Sequence, residues 1–245
     1  MNQGVPNSFD RVSADRWARL GQARIYFGHQ SVGFNIIDGV QDLLRLRPSI
    51  GLRVEEMGGG PIPQGPALLH GRIGANTQAE SKFDDFAARI RGGVGAWASI
   101  AFLKLCYADI HAGSDVPRIL DRYQTCLNEL SREFPSVCFL RVTVPLTALP
   151  PWPKRLAKRL LGRSVREFDD NARRAEFNDS LRSLHRGDGL LFDLAKVEAT
   201  RPDGAPERGG TAMCPEYTDD RGHLNERGRL VVASELLCTL AEVAS

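Results

Sequence analysis

The stretch Ala98-Ser-Ile-Ala-Phe-Leu-Lys-Leu-Cys106 is apolar along nearly its whole length. It does not alternate, so it does not describe a strand with one wet face. It suits a central strand covered on both sides. Working outward, Arg24-Ile-Tyr-Phe27 is a short β-prone run that ends in Gly28. Residues 31–46 then read as a helix, because Phe34, Ile37, Val40, Leu43 and Leu44 recur at three- and four-residue steps. Pro48 stops that helix. Residues 51–55 read as a short strand and 57–66 as a turn-rich loop. Helices are expected over 81–91, with Phe83, Phe86 and Ile90 on one face, and over 116–134, 168–184 and 226–243. Strands are expected over 137–144, broken at Pro145, and over 190–194.

Strands alternating with helices call for a parallel sheet wrapped by helices on both faces. The expected fold class is therefore α/β, a three-layer α/β/α sandwich with a parallel sheet of about five strands. No repeat or composition break divides the chain, so residues 1–245 are expected to form one domain, with 1–21 as a polar arm or short helix. Two segments interrupt the rhythm. Residues 195–222 read as a long Gly/Pro-rich loop. Residues 150–174 carry Lys154, Arg155, Lys158, Arg159, Arg163, Arg166, Arg173 and Arg174 against Glu167, Asp169 and Asp170, a local net charge of +5. Leu156, Leu160 and Leu161 give part of this insertion an amphipathic character. A solvated helix, a lid, a membrane-surface helix and an anion site all fit it.

Composition narrows the function classes. The chain has 245 residues, 42% hydrophobic and 25% charged, with a net charge of +2. Disorder, collagen and coiled coil are excluded as whole-chain descriptions. Near charge balance argues against a nucleic-acid partner. No stretch approaches the roughly 20 apolar residues of a membrane span, so membrane insertion is not expected. Cys106, Cys126, Cys138, Cys214 and Cys238 are odd in number and contain no CxxC pair, which suits free thiols in a reducing compartment. With no apolar core in the first 19 residues, the default location is cytoplasmic. His70, His111 and His185 lack metal-ligand spacing, so no metal site is expected.

In an open parallel sheet, ligands bind beyond the carboxyl ends of the strands. The loop after the first strand is Phe27-Gly-His-Gln-Ser-Val-Gly33. Ser31 lies there at a helix start, where the positive end of the helix favours developing negative charge. The plainer reading is that Ser31 is only the N-cap. Before the last helix comes Tyr217-Thr-Asp-Asp-Arg-Gly-His-Leu-Asn225. Asp220 there could orient His223, and His223 could take a proton from a serine. Their plainer roles are capping and surface polarity. Lys104 stands in an apolar run where an unpaired charge is costly, and Asp109, just past the strand, is its expected partner.

These blocks, in this order, resemble those of the SGNH (GDSL-type) hydrolases over residues 23–243. The resemblance implies a flavodoxin-like SGNH hydrolase fold. It also implies Ser31 as nucleophile, His223 as base, Asp220 as its orienter, and no cofactor. Gly71-Arg-Ile-Gly-Ala-Asn-Thr77 resembles the family's oxyanion block, with Gly74 at the key position. Val142-Thr-Val-Pro145, Phe177-Asn178 and Leu190-Leu-Phe-Asp193 resemble intervening stretches. Two blocks depart from the pattern. Gly28-His-Gln-Ser31 replaces Gly-Asp-Ser, one residue longer and without the Asp. Leu105-Cys-Tyr-Ala-Asp109 replaces Gly-x-Asn-Asp, leaving Ala108 where the oxyanion Asn belongs. Losing one such donor costs roughly 10²–10³ in rate. Asn76, Tyr107 and Lys104 are candidate replacements, and His29, Lys104, Tyr107 and Asp109 are candidate substrate-lining residues.

The resemblance thus implies an ester hydrolase working through an acyl-enzyme on a small-molecule or carbohydrate ester. An acyltransferase on the same scaffold, or a catalytically inactive binding domain, are the alternatives. The oligomeric state is not encoded in any feature of the chain.

Overall fold

The computed structural model describes residues 7–58, 62–153, 156, 160 and 165–244. Its sheet has six strands, all parallel: β1 (Arg24–His29), β2 (Val54–Glu56), β3 (Ala67–Arg72), β4 (Ile100–Leu103), β5 (Cys138–Val142) and β6 (Leu191–Phe192). Their order is β2-β3-β1-β4-β5-β6. The sheet of about five strands expected from the sequence has six, the added one being β3 in a stretch to which sequence reading assigned no element. The strand expected over 51–55 is the short edge β2, and β3 pairs between it and β1.

The α-helices of six or more residues among the described residues are α1 (Ala14–Gly21), α2 (Val32–Leu46), α3 (Ala79–Arg89), α4 (Val116–Glu133), α5 (Arg166–Leu184), α6 (Leu194–Ala199) and α7 (Glu226–Val243). Helix α6 occupies the start of the stretch expected as loop over 195–222.

Two apolar cores lie on opposite sides of the sheet, because neighbouring strand residues face opposite ways. Phe27 and Phe102, register partners on β1 and β4, stack at 4.6 Å in the core shared with α2 and α7. Tyr26 and Ala101, one residue earlier, face the core shared with α3, α4 and α5. All of β4 is buried, as its unbroken apolar sequence requires. Truncating a fully buried aromatic such as Phe102 costs about 3–5 kcal/mol.

Residues 7–21 form a 3-10 turn (Asn7–Arg11) and α1, whose Phe9 and Leu20 are buried in the core under α7. Arg11 also pairs with Glu235 at 2.7 Å. Of the basic insertion, Lys154, Arg155, Lys158, Arg159, Leu161 and Arg163 lie outside the described residues. Trp152, Leu156 and Leu160 are exposed. Among the described residues no helix is long and apolar enough to cross a membrane, and no cluster of three or more His, Cys, Asp or Glu could hold a metal ion. All five cysteines are free thiols.

Chain order reverses at β1, with β3 on one side and β4 on the other, which opens the crevice at the carboxyl end of β1.

Candidate active site

The chain leaves β1 at His29 and enters α2 at Val32, so only Gln30 and Ser31 make the turn. Ser31 adopts φ 50° and ψ −114°. Positive φ in a residue with a Cβ costs on the order of 1–3 kcal/mol. The turn also needs Gly33, since a Cβ there would lie 2.4 Å from the His29 ring. The Ser31 side chain makes no capping bond, which sets aside its plainer reading as an N-cap. Its Oγ instead lies 2.7 Å from His223 Nε2.

His223 Nδ1 lies 2.7 Å from Asp220 Oδ2. Asp220 Oδ1 accepts the N–H groups of His223 (2.7 Å) and Gly222 (2.8 Å). One carboxylate thus fixes both the loop backbone and the ring. Partial burial pushes the Asp220 carboxyl up. The His223 and Gly222 N–H groups and the His223 ring outweigh this and hold it well below the usual carboxylate range. The distant Ser31 and Asp220-x-x-His223 segments therefore meet as one hydrogen-bonded chain. Among the described residues the non-glycine residues with positive φ are Ser31, Thr77, Arg208 and Arg221. Of these, Ser31 lies in the turn after β1, Thr77 in the loop after β3, and Arg221 in the loop between Asp220 and His223.

No protein-family profile and no curated protein matches the chain. Solved structures do. A protein of Streptococcus pneumonia, described as a candidate platelet activating factor, superposes with a TM-score of 0.53 at 16% identity, over 91% of this chain and 88% of that one. A candidate SGNH hydrolase from Slackia heliotrinireducens is similar at a TM-score of 0.49 and 17% identity, covering 88% of this chain and 97% of that one. The lipase Lip_vut3 from a goat rumen metagenome is similar at 0.48 and 9% identity, over 88% of this chain and 97% of that chain. This chain shares the three-layer α/β fold of the Streptococcus protein.

Several expectations implied by the sequence resemblance need correction. The Gly74 N–H, expected as an oxyanion donor, is taken by Asp85 Oδ2 at 3.0 Å. Gly74 still has to be glycine. Its φ is +50°, and a Cβ would lie 2.6 Å from the Lys82 backbone nitrogen. Its carbonyl accepts from Gln30 Nε2 at 2.8 Å, which ties this loop to the Ser31 turn. Among the described residues no protein group accepts the Ser31 or Val32 N–H. Asn76 is exposed on the same loop.

His29 does not line the surface. It is 0% exposed, and its Nε2 lies 3.0 Å from His70 Nδ1. Burial, then the neighbouring His70, Lys104 and Arg72, lower its pKa to about 2, so the ring is neutral packing under the Ser31 turn. Lys104 is likewise fully buried. It donates to the Leu105 carbonyl at 3.0 Å, and burial lowers its pKa. Its expected partner Asp109 bonds Lys82 Nζ instead, at 2.5 Å. Asp109 is an internal tie that also accepts the Thr77 N–H (2.8 Å) and the Cys106 N–H (2.6 Å), and it contributes to the wall of a groove at the start of α3.

Tyr107 does sit at the site. Its ring meets His223 edge-on with centroids 6.0 Å apart, and a Cβ at Gly222 would lie 2.9 Å from its hydroxyl. Arg174, counted by sequence within a solvated basic stretch, is buried. It donates to the carbonyls of Tyr107 (2.9 Å) and Ile110 (3.0 Å) and so holds this loop. Burial lowers its pKa to about 10.

Sequence reasoning also passed over Lys82 and Glu198, both fully buried. Lys82 had a readable signal, since it shares the apolar face of α3 with Ala79, Phe83 and Phe86. A charge on that stripe demands a buried partner.

Proposed function

We propose that this chain is a serine ester hydrolase. The single observation that supports this most is the 2.7 Å approach of Ser31 Oγ to His223 Nε2, with His223 backed by Asp220. An SGNH fold alone would not distinguish an enzyme from an inactive relative.

Ser31 Oγ attacks the acyl carbonyl while His223 Nε2 takes its proton. Asp220 fixes the tautomer and stabilises the imidazolium. The new oxyanion is held by the backbone N–H groups of Ser31 and Val32, by the positive end of α2, and by the amide of Asn76. As the tetrahedral species collapses, the C–O bond to the alcohol breaks and His223 returns the proton to the leaving oxygen. Water then attacks the acyl-enzyme, with His223 again as base, and the acid departs. The His223 and Asp220 side chains are 45% and 57% exposed, so water reaches the acyl-enzyme freely. This favours hydrolysis over transfer to another alcohol.

A groove of about 460 Å³ opens from the loop after β3, between the start of α3 and the start of α4, and we read it as the place of the alcohol. Thr77, Gln78, Ser81, His111 and Ser114 line it together with the carboxylates Glu80, Asp84 and Asp109, a set of hydrogen-bonding groups that suits a sugar or other polyol.

The test is hydrolysis of p-nitrophenyl acetate and of an acetylated sugar by the wild type and Ser31→Ala. A loss of at least a hundredfold in the variant is expected. Equal rates would remove Ser31 from the reaction.

A further inference from the structure

In this chain Ala108 stands at the position where an oxyanion Asn is expected, and the Gly74 N–H is engaged by Asp85. The Gln30 amide beside Ser31 is taken by the Ile73 and Gly74 carbonyls at 3.3 and 2.8 Å, which leaves Asn76 as the candidate amide. Two features fix where it points. First, Lys82 Nζ, fully buried, lies 3.2 Å from Asn76 Oδ1 and 2.5 Å from Asp109 Oδ2. An ammonium only donates, so the amide oxygen must be the atom facing Lys82 and the NH₂ must face the other way. Second, the next residue, Thr77, is held at φ 68°, an unusual conformation for a β-branched residue, with its N–H bound by Asp109 at 2.8 Å. Asp109 also binds the Cys106 N–H at 2.6 Å, so the same buried carboxylate locks the loops after β3 and β4 together.

We propose that Lys82 is a positioning residue for the reaction: with Asp109 as its counter-ion, it grips the oxygen of Asn76 and presents the amide NH₂ to the substrate oxyanion. The loop after β3 thereby supplies the side-chain donor that the loop after β4 lacks. This inference rests on the ester-hydrolase reading above. It adds an element that the family pattern does not contain, a lysine-held amide on a different strand end.

A double-mutant cycle with p-nitrophenyl acetate tests it, using Asn76→Ala, Lys82→Met and the pair. Asn76→Ala is expected to lower kcat by roughly 10²–10³ with KM changed less than about threefold. Lys82→Met should lower kcat at least tenfold. The pair should be no worse than Asn76→Ala within about twofold, because Lys82 acts only through the amide. Effects that multiply, or a folded Lys82→Met with wild-type kcat, would overturn the proposal.

Lys82→Met removes one half of a buried ion pair, so a second measurement needs no change at Lys82. The side-chain amide of Asn76, assigned by the loss of its ¹⁵N signal in Asn76→Ala, should have an order parameter near that of rigid backbone, about 0.85. A value below about 0.6 would mean that nothing holds it. This readout does not depend on turnover. An enzyme that cleaves no ester and takes no fluorophosphonate label on Ser31, yet keeps a rigid Asn76 amide, would sink the hydrolase reading while leaving the Lys82 grip in place. A mobile amide in an active enzyme would do the reverse.

Discussion

The Gly74 N–H lies 3.0 Å from Asp85 Oδ2, and this one bond changes which groups can stabilise an oxyanion. A backbone donor bound to a carboxylate within the protein cannot serve a substrate without first losing that partner. Asp85→Ala is therefore expected to leave kcat within a few-fold. It should lower stability by about 1.5–3 kcal/mol, the worth of a hydrogen bond to a charged group. Thermal melts and ester kinetics on the same preparation check both. A tenfold or greater rise in kcat in a folded variant would show that the freed Gly74 N–H serves as an oxyanion donor.

Ser31 bears strain that glycine would not. Ser31→Gly should remove the nucleophile and relieve a backbone held at φ 50°. A gain of about 1 kcal/mol is expected after the entropic cost of glycine, which corresponds to roughly 2–4 °C in Tm for a chain of this size. Calorimetry of the wild type, Ser31→Ala and Ser31→Gly distinguishes loss of the hydroxyl from relief of the turn. A Ser31→Gly protein less stable than Ser31→Ala would show that the turn is not strained.

Asp220 is held in its charged form by two backbone N–H groups and the His223 ring, which outweigh its partial burial. Its folded pKa is depressed, so any stability it contributes is present above the unfolded value of about 3.9 and is lost as pH falls below it. Activity lost on acidification above about pH 4 should therefore not be due to protonation of Asp220. Asp220→Asn, which frees the ring to adopt the wrong tautomer, should lower kcat by about 10⁴-fold with an unchanged fold. A pH–rate profile of the wild type, with circular dichroism of the variant, tests both statements.

Glu198 makes a prediction of opposite sign. Burial pushes its carboxyl up to about 8, although the Leu146 N–H at 2.7 Å and the cations Lys104 and Arg174 pull the other way. Below about pH 4 both folded and unfolded forms carry the proton. Between about 4 and 8 only the unfolded form has lost it, so stability falls as pH rises, by up to a few kcal/mol. Burial lowers the Lys104 pKa, which acts in the contrary direction at more alkaline pH. Glu198→Gln keeps an acceptor for Leu146 and should flatten the decline. Urea midpoints at pH 5 and pH 8 measure this. A variant as pH-dependent as the wild type would assign the decline to another group.

Much of this arrangement could be read from the chain, for local reasons. The strand–helix rhythm is explicit in 24–46 and 98–134, where apolar residues change from runs to helical spacing. Ser31, Asp220 and His223 stand out because each lies in a short polar loop between a strand end and a helix start. Strand β3 did not stand out, for physical reasons. Ala67-Leu-Leu-His-Gly-Arg72 follows a Pro/Gly stretch and contains no β-branched residue. It is a strand because β1 and β2 pair with it on both sides. The fates of Lys82, Arg174 and Gly74 were hidden for a related reason. Whether a cation is buried, or an N–H already occupied, depends on partners such as Asp109, Ile110 and Asp85 that lie across the fold or a turn further along the chain.

The two rims of the sheet carry a consequence for how copies of this protein meet one another. One rim is the three-residue β2, whose outer sequence is Val54-Glu55-Glu56, and the other is the two-residue β6. Neither offers the long run of unpaired amides and carbonyls that lets a neighbouring chain zip on, and the first places negative charge where an invading copy would bring its own. Accidental polymerisation through strand addition is thus discouraged at both flanks, leaving the crowded, strained end of β1 free to specialise without endangering solubility.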